Sequence, residues 1–352
     1  MDNKIFFMNT HPLFDFGVHC KLISAIIHRP IVHQIIIFVK TLLIPVEHAN
    51  ERLDQALAKL LPEYSRTQIK EWIEAGAVLM NGAPVKSKTR LKGGESISLE
   101  ITEKILPAWE AQAMALNIVH EDDDILVINK PVGLVVHPGA GNADHTLLNA
   151  LLHHAPALHS LPRAGIVHRI DKDTSGLLVV AKTAAALKDL THQIKKHSLQ
   201  REYQAIVYGT FISGGTIDAP IDRHSLQRKR MAIVETGKHA VTHYRIAEKY
   251  HAHTRLNIQL ETGRTHQIRV HMSHIRHPLV GDITYGGRVQ LSKGMTPELI
   301  QELRHFKRQA LHAFALGLTH PRTQEWMRFE AELPDDMQQL ICLLRDDMKK
   351  RK

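Results

Sequence analysis

From Asn117 onward the chain sets short apolar runs between glycine- and proline-rich turns, at a spacing that leaves room for few helices. This pattern constrains the fold more than any other feature of the sequence. The runs are ILVIN (125–129), GLVVH (133–137), GLLVVAK (176–182), YQAIVYG (203–209), VTHYRI (241–246) and TRLNIQLE (254–261), with a helical TAAALKDLTHQIKKH (183–197) among them. Many short strands joined by hairpin-like turns predict an α+β domain on a mixed, mainly antiparallel β-sheet, spanning 117–342. A charged tail is expected over 343–352.

Upstream the texture differs. ERLDQALAKLLPEYSRTQIKEWIEAG reads as two short helices with apolar residues at helical spacing, the second capped by Ser65. Asn81-Gly82 between apolar flanks predicts a hairpin, and Gly93-Gly94 before ESISLEI predicts another turn. A small domain over 50–102 is expected, with a linker over 103–116 and an N-terminal extension over 1–45. The extension includes the apolar run IVHQIIIFVKTLLIPV, which His33, Gln34 and Lys40 interrupt. A membrane span needs about 20 continuous apolar residues, so no membrane association is expected. A chain of 352 residues suits two domains of this kind plus the extension.

Lys and Arg number 45 against 36 Asp and Glu, a net charge of +9 that makes polyanions the leading partner class. Cys20 and Cys342 sit at opposite ends with no CxxC, which excludes a disulfide framework and a cysteine zinc site and favours a reducing, cytoplasmic setting. Arg66, Lys70, Lys86, Lys88, Arg90 and Lys92 fall within the helix-helix-hairpin order of the first domain, which resembles an S4 RNA-binding domain. In RHSLQRKR (223–230), the cations Arg223, Arg228, Lys229 and Arg230 share one loop and suit a phosphate backbone.

The most informative stretch is GIVHRIDKDTSGLLVVAK (165–182), where Asp171 lies in a polar loop between two apolar runs. Its His168-Arg169-x-Asp171-x-x-Thr174-Ser175-Gly176 order is similar to the central motif of the RluA-type pseudouridine synthases, with Ile170 where leucine is usual. NKPVGLVVHPG (129–139), REYQAIVYG (201–209) and ETGRTHQIRVHMSHIRHPLVGD (261–282) match further blocks of that family in the same order. The resemblance covers about Glu51 to Leu340.

It implies an intramolecular isomerase that turns uridine into its C-glycoside, with Asp171 as covalent nucleophile on sugar C1′ or uracil C6. It further implies that Tyr203 packs on the displaced uracil, that Arg269 partners the nucleophile, and that Arg169 fills the space left by the flipped nucleotide. Taken singly, Tyr203 fits plain strand packing and Arg269 a surface ion pair; their joint order is what lifts them. His168, Lys130 and Arg264 are expected at the RNA, Lys130 with a structural role as the alternative. The rearrangement requires no electron or group carrier, so no cofactor is expected. His271, His274 and His277 invite a zinc assignment, but no cysteine or suitably spaced carboxylate completes the set, and no metal is expected. A second carboxylate placed to activate water would be harmful, and the sequence offers no obvious pair. The implied partner is 23S ribosomal RNA or its large-subunit precursor, at uridines of the helix 69 stem-loop; a monomer without a protein partner is the default expectation. The same chemistry on other 23S sites or tRNA, and a non-catalytic S4 ribosome-assembly protein, are the alternatives.

Overall fold

A computed structural model describes residues 20–21, 34–62, 64–105, 109–139, 141–227 and 230–350. The chain divides between residues 108 and 109 into two units.

The first unit pairs β1 (Cys20–Lys21), β2 (Gln34–Leu43), β3 (Val78–Met80), β4 (Ala83–Pro84) and β5 (Ser96–Ile105) in the order β1-β2-β5-β3-β4, all antiparallel. Helix α1 (Leu53–Leu60) buries Leu53, Ala56 and Leu57, and α2 (Arg66–Glu74) buries Ile69 and Ile73, the i, i+3, i+4 faces that the sequence spacing sets. They pack with Val78, Ile97 and Leu99 of the sheet. Ser65 Oγ accepts from the Gln68 amide at 3.2 Å, satisfying one free donor of the α2 N-terminus. Asn81 and Gly82 both take positive φ (51° and 81°), the turn geometry that matches strand twist. Residues 34–43, expected in an appendage, are a strand of this sheet paired along its length with β5; the isoleucine-rich run is a sheet former without alternation. The strand also carries the unit to Ile105, past the expected boundary at 102.

The second unit is built on β6 (Ile118–Glu121), β7 (Ile125–Lys130), β8 (Ser175–Ala181), β9 (Gln200–Tyr208), β10 (Gly215–Asp218), β13 (Val241–Lys249), β14 (His253–Leu260), β15 (Leu311–Thr319) and β16 (Trp326–Glu330). Their order is β10-β13-β14-β9-β15-β8-β7-β6, with β16 on β15, and only β8 and β15 run parallel. β11 (Ile221–Arg223) and β12 (Met231–Ile233) form a separate hairpin. This is the α+β architecture on a mainly antiparallel sheet.

Period-two alternation splits β9 between two cores: Tyr203, Ala205 and Val207 face one, and Ile206 and Tyr208 the other. The first core is closed by α3 (Leu147–His154) and α5 (Gln267–His274), the second by α6 (Pro297–His305) and α7 (Asp335–Lys350). Helix α4 (Ala184–Lys195), capped by Thr183, covers β8 through Ala186 and Leu190.

Two expectations are corrected here. GLVVH (133–137) is not a strand, because the carbonyls of Val135 and Val136 accept from the amides of Leu147 and Leu148 and serve the N-terminus of α3 instead. The expected tail over 343–352 is helical to Lys350, with Leu344 and Asp347 buried. Among the described residues no helix is long and apolar enough to cross a membrane.

Candidate active site

Asp171 sits in the loop that leads into β8, and the loop is tied from several directions. The Asp171 carbonyl accepts from the Thr174 amide at 3.1 Å, and the Lys172 carbonyl accepts from the Gly133 amide at 3.0 Å and from Lys130 Nζ at 2.9 Å. Gln309 Nε2 donates to Thr174 Oγ1, and Ser175 Oγ meets His312 Nδ1 at 2.9 Å. Gly176 has φ 113°, and a Cβ there would lie 2.2 Å from the carbonyl oxygen of Ala313, so only glycine allows β15 to approach this closely.

The Asp171 side chain keeps 17% of its surface exposed and, among the described residues, accepts one hydrogen bond, from Arg269 Nη1 at 3.0 Å. Arg269, on α5, is itself gripped by Asp282, whose oxygens accept from Nε at 2.7 Å and from Nη2 at 3.0 Å. Burial works against the Arg269 charge, but the bonds and charges of Asp282 and Asp171 outweigh it and raise its pKa. Asp282 is thus a second carboxylate one guanidinium away, which the sequence did not reveal. It is sealed: its side chain is 0% exposed, and Oδ1 also accepts from the amides of Thr284 and Tyr285. It cannot activate a water.

His266, at the left-handed N-cap of α5, places Nε2 4.0 Å from Asp171 Oδ1. Its Nδ1 lies 2.8 Å from Tyr285 Oη, which accepts from the Met231 amide at 2.8 Å. With that oxygen accepting, the phenol proton is free to point to Nδ1, leaving Nε2–H toward Asp171. Burial lowers the pKa of His266 and favours this neutral form. The ring of Tyr285 also supports two guanidinium groups, with the Cζ atoms of Arg269 and Arg230 5.0 and 5.2 Å from its centroid.

One cleft is lined by Asp171, Tyr203, Arg269, Arg169 and Arg264, with Ile170, Leu260, Ile268 and Leu311 as its apolar walls. Tyr203 is 6% exposed, and burial raises its pKa, so the phenol stays protonated. Arg169 is exposed at the cleft. Arg264 is exposed as well, with Nε donating to the His239 carbonyl, while Gln267 Oε1 accepts from its amide and sets the turn into α5.

The other expected RNA contacts fall elsewhere. Lys130 is a correction: it is fully buried, and Nζ donates to the carbonyls of Pro131, Leu134 and Lys172 at 2.7, 2.9 and 2.9 Å, which uses all three ammonium donors. Burial pulls its pKa down to about 7 against the pull of Asp173 and Asp171. It holds the Asp171 loop and has no donor left for RNA. His168 is turned inward, its Nε2 accepting from the Val179 amide at 3.1 Å, and burial lowers its pKa to about 3. Arg66 is half exposed and bonds Asp54 at 2.7 Å, and Lys70 is exposed 3.5 Å from Glu74. Arg228 and Lys229 lie outside the described residues; Arg230 rests on Tyr285.

Of the three histidines that invited zinc, His271 bonds Thr242 and the Ala219 carbonyl, and His277 donates to the Tyr208 carbonyl. Asp122, Asp124 and His320 do gather their ligand atoms within 4.8 Å of one another, but Asp122 Oδ1 already accepts two amides and Asp124 is paired with Arg322.

A carboxylate with open acceptor capacity, a fixed cation and a buried phenol around one cleft suit nucleophilic attack on a nucleotide whose base lies flat on the phenol ring. Comparison with known proteins gives the family. Residues 124–274 match the RNA pseudouridylate synthase family, and residues 51–97 match the S4 domain. The chain is 54% identical over 85% of its length to the "Ribosomal large subunit pseudouridine synthase D" of Vibrio cholerae serotype O1, covering 93% of that protein. It is 52% identical over 86% of its length to the protein of the same name from Pseudomonas aeruginosa, covering 95% of it. Among solved structures it resembles "Human RNA Pseudouridylate Synthase Domain Containing 4", with a TM-score of 0.51 and 25% identity over 65% of this chain and 93% of that one. Fold and site define an RNA-modifying enzyme with an S4 module ahead of its catalytic sheet. The chain belongs to the RNA pseudouridylate synthase family and is an RNA pseudouridine synthase.

Proposed function

We propose that this enzyme isomerises uridines of large-subunit ribosomal RNA in the helix 69 stem-loop, in the cytoplasm, with Asp171 as the nucleophile. The observation that carries the reading is the Asp171 carboxylate, held by Arg269 at 3.0 Å yet open to a cleft with apolar walls and the Tyr203 ring. The target class is supported by relatives of that printed name, which this chain matches along more than nine-tenths of their length. The stem-loop follows from the motif resemblance.

The target uridine swings out of its helix at a cost of a few kcal/mol, and Arg169, exposed at the cleft, occupies the space it leaves. Asp171 attacks C1′ or C6 and the N1–C1′ bond breaks. The uracil turns, C5 bonds to C1′, the C5 proton leaves, N1 gains a proton and the carboxylate is released. Stacking on Tyr203 keeps the loose uracil in place, worth about 1–3 kcal/mol for a base on an aromatic ring. Ile170, Leu260, Ile268 and Leu311 keep water from the intermediate, where hydrolysis would leave an abasic site. Asp282 is closed to the same water, so the guanidinium is anchored without a hydrolytic base being supplied.

The test is a map of pseudouridine across ribosomal and transfer RNA from cells with and without this gene. Loss confined to helix 69 is expected. Loss only at other sites overturns the target, and an unchanged map overturns the activity in the cell.

A further inference from the structure

A second cavity, of about 430 Å³, opens beside the active-site cleft and shares Arg169, Arg201, Gly263 and Arg264 with it. Its lining carries five fixed cations: Arg163, Arg169, Lys195, Arg201 and Arg264. Among the described residues, no ion pair joins any of them to a carboxylate. The one acid in the lining, Glu261, directs its carboxylate to His243 Nε2 at 2.6 Å.

Arg201 is the exceptional member. It is 6% exposed, Nη2 donates to the Glu261 carbonyl at 3.0 Å, and Nε is buried with no partner among the described residues. Burial lowers its pKa, yet a guanidinium does not give up its proton in a protein, so the free enzyme holds a desolvated charge with no counter-charge. Gly263 lies close by: a Cβ there would stand 2.6 Å from Nη1. Strain at the rim points the same way, since Arg163 and Ala164 are consecutive left-handed non-glycine residues, at φ 55° and 51°.

We infer that this cavity is a phosphate site for the RNA backbone, with Arg201 as its buried anchor and Arg163, Lys195 and Arg264 around it. The inference rests on the RNA reading above and names how the backbone next to the flipped uridine is held. Fork-shaped guanidinium donors match phosphate oxygens, and the ligand supplies the charge that Arg201 lacks. Because Arg201 and Tyr203 are two apart on β9, they project from the same side of the strand, so the phosphate and the base are gripped by one rigid element.

The test compares the full-length enzyme with Arg201→Met, using a helix 69 stem-loop fragment of ribosomal RNA and inorganic phosphate as a second probe. RNA affinity is expected to fall about tenfold or more, and the slope of log affinity against log salt to flatten by about 0.7–0.9, the share of one phosphate. The Tm of the free variant should stay level or rise, because a buried unpaired charge has gone. Inorganic phosphate should raise the Tm of the wild type and not of the variant.

A variant with lowered Tm but unchanged affinity and salt slope would make Arg201 a structural residue and overturn the inference. A phosphate-dependent Tm with an unchanged RNA slope would assign the cavity to free anions and overturn it as well. Should Arg201→Met fail to fold, Arg163→Gln and Lys195→Gln, both at exposed positions, must each flatten the salt slope, and unchanged slopes there reject the site. A wild type that binds this RNA with the expected slope but makes no pseudouridine would sink the functional reading and leave the phosphate site standing.

Discussion

Two loops hold a carboxylate against Arg269 and treat it in opposite ways. The loop after Gly281 closes around Asp282: two guanidinium bonds and two backbone amides fill its oxygens, and its side chain is fully buried. The loop before β8 presents Asp171 with one guanidinium bond, a histidine 4.0 Å away and an open face toward the cleft. Identical chemical groups on one arginine are thereby given different work. What distinguishes them is unfilled acceptor capacity beside a cavity, and neither residue type nor distance from the cation would have told them apart.

Breaking the sealed side of this contrast should have the largest effect. Asp282→Asn removes the charge that anchors Arg269 and leaves the buried guanidinium with Asp171 as its one charged partner, at a cost of about 3–5 kcal/mol. Urea denaturation should show that loss together with a large fall in kcat, and a stable, active variant would erase the distinction between the two loops. Lys130→Met acts next, on the open side. It orphans the Pro131 and Leu134 carbonyls and leaves the Lys172 carbonyl with the Gly133 amide alone, and a loss of about 2 kcal/mol is expected. Single-turnover kinetics should show kcat reduced and RNA affinity unchanged, whereas an affinity loss would return Lys130 to the RNA surface.

The smallest effect belongs to three buried histidines. Burial lowers the pKa of His137 to about 4, His168 to about 3 and His253 to about 4, with nearby cations adding to the shift of the first two. In the window between these values and about 6.5, the unfolded chain binds more protons than the fold. Their contribution is therefore complete above pH 6.5 and is lost as pH falls toward 4. A Tm series over that range should decline, and His168→Gln should make the decline shallower; an equal slope in the variant would remove His168 from the account.

The helical pair of the first unit was readable because Leu53, Ala56, Leu57, Ile69 and Ile73 keep helical spacing and Ser65 supplies a cap. The strand at 34–43 was not, because an unalternating apolar run carries no sign of which neighbour it will pair with. GLVVH has strand composition, but the carbonyls of Val135 and Val136 are taken by the start of α3, a tertiary demand that local pattern does not encode. In the site, Asp171, Tyr203 and Arg269 stood out through their motifs and line one cleft. Asp282 and His266 lay within the same quoted block, yet their roles depend on how the chain after α5 folds back on Arg269. Arg201 was hidden for a similar reason: a strand arginine reads as exposed until its burial is seen.

The account turns on the open carboxylate, and single-turnover assay of Asp171→Asn with saturating enzyme tests it most directly, with RNA affinity and Tm measured on the same preparation. Pseudouridine should fall by about a thousandfold or more, to the point of no detectable product, while affinity and Tm stay close to wild type. Product at the wild-type rate would contradict the assignment.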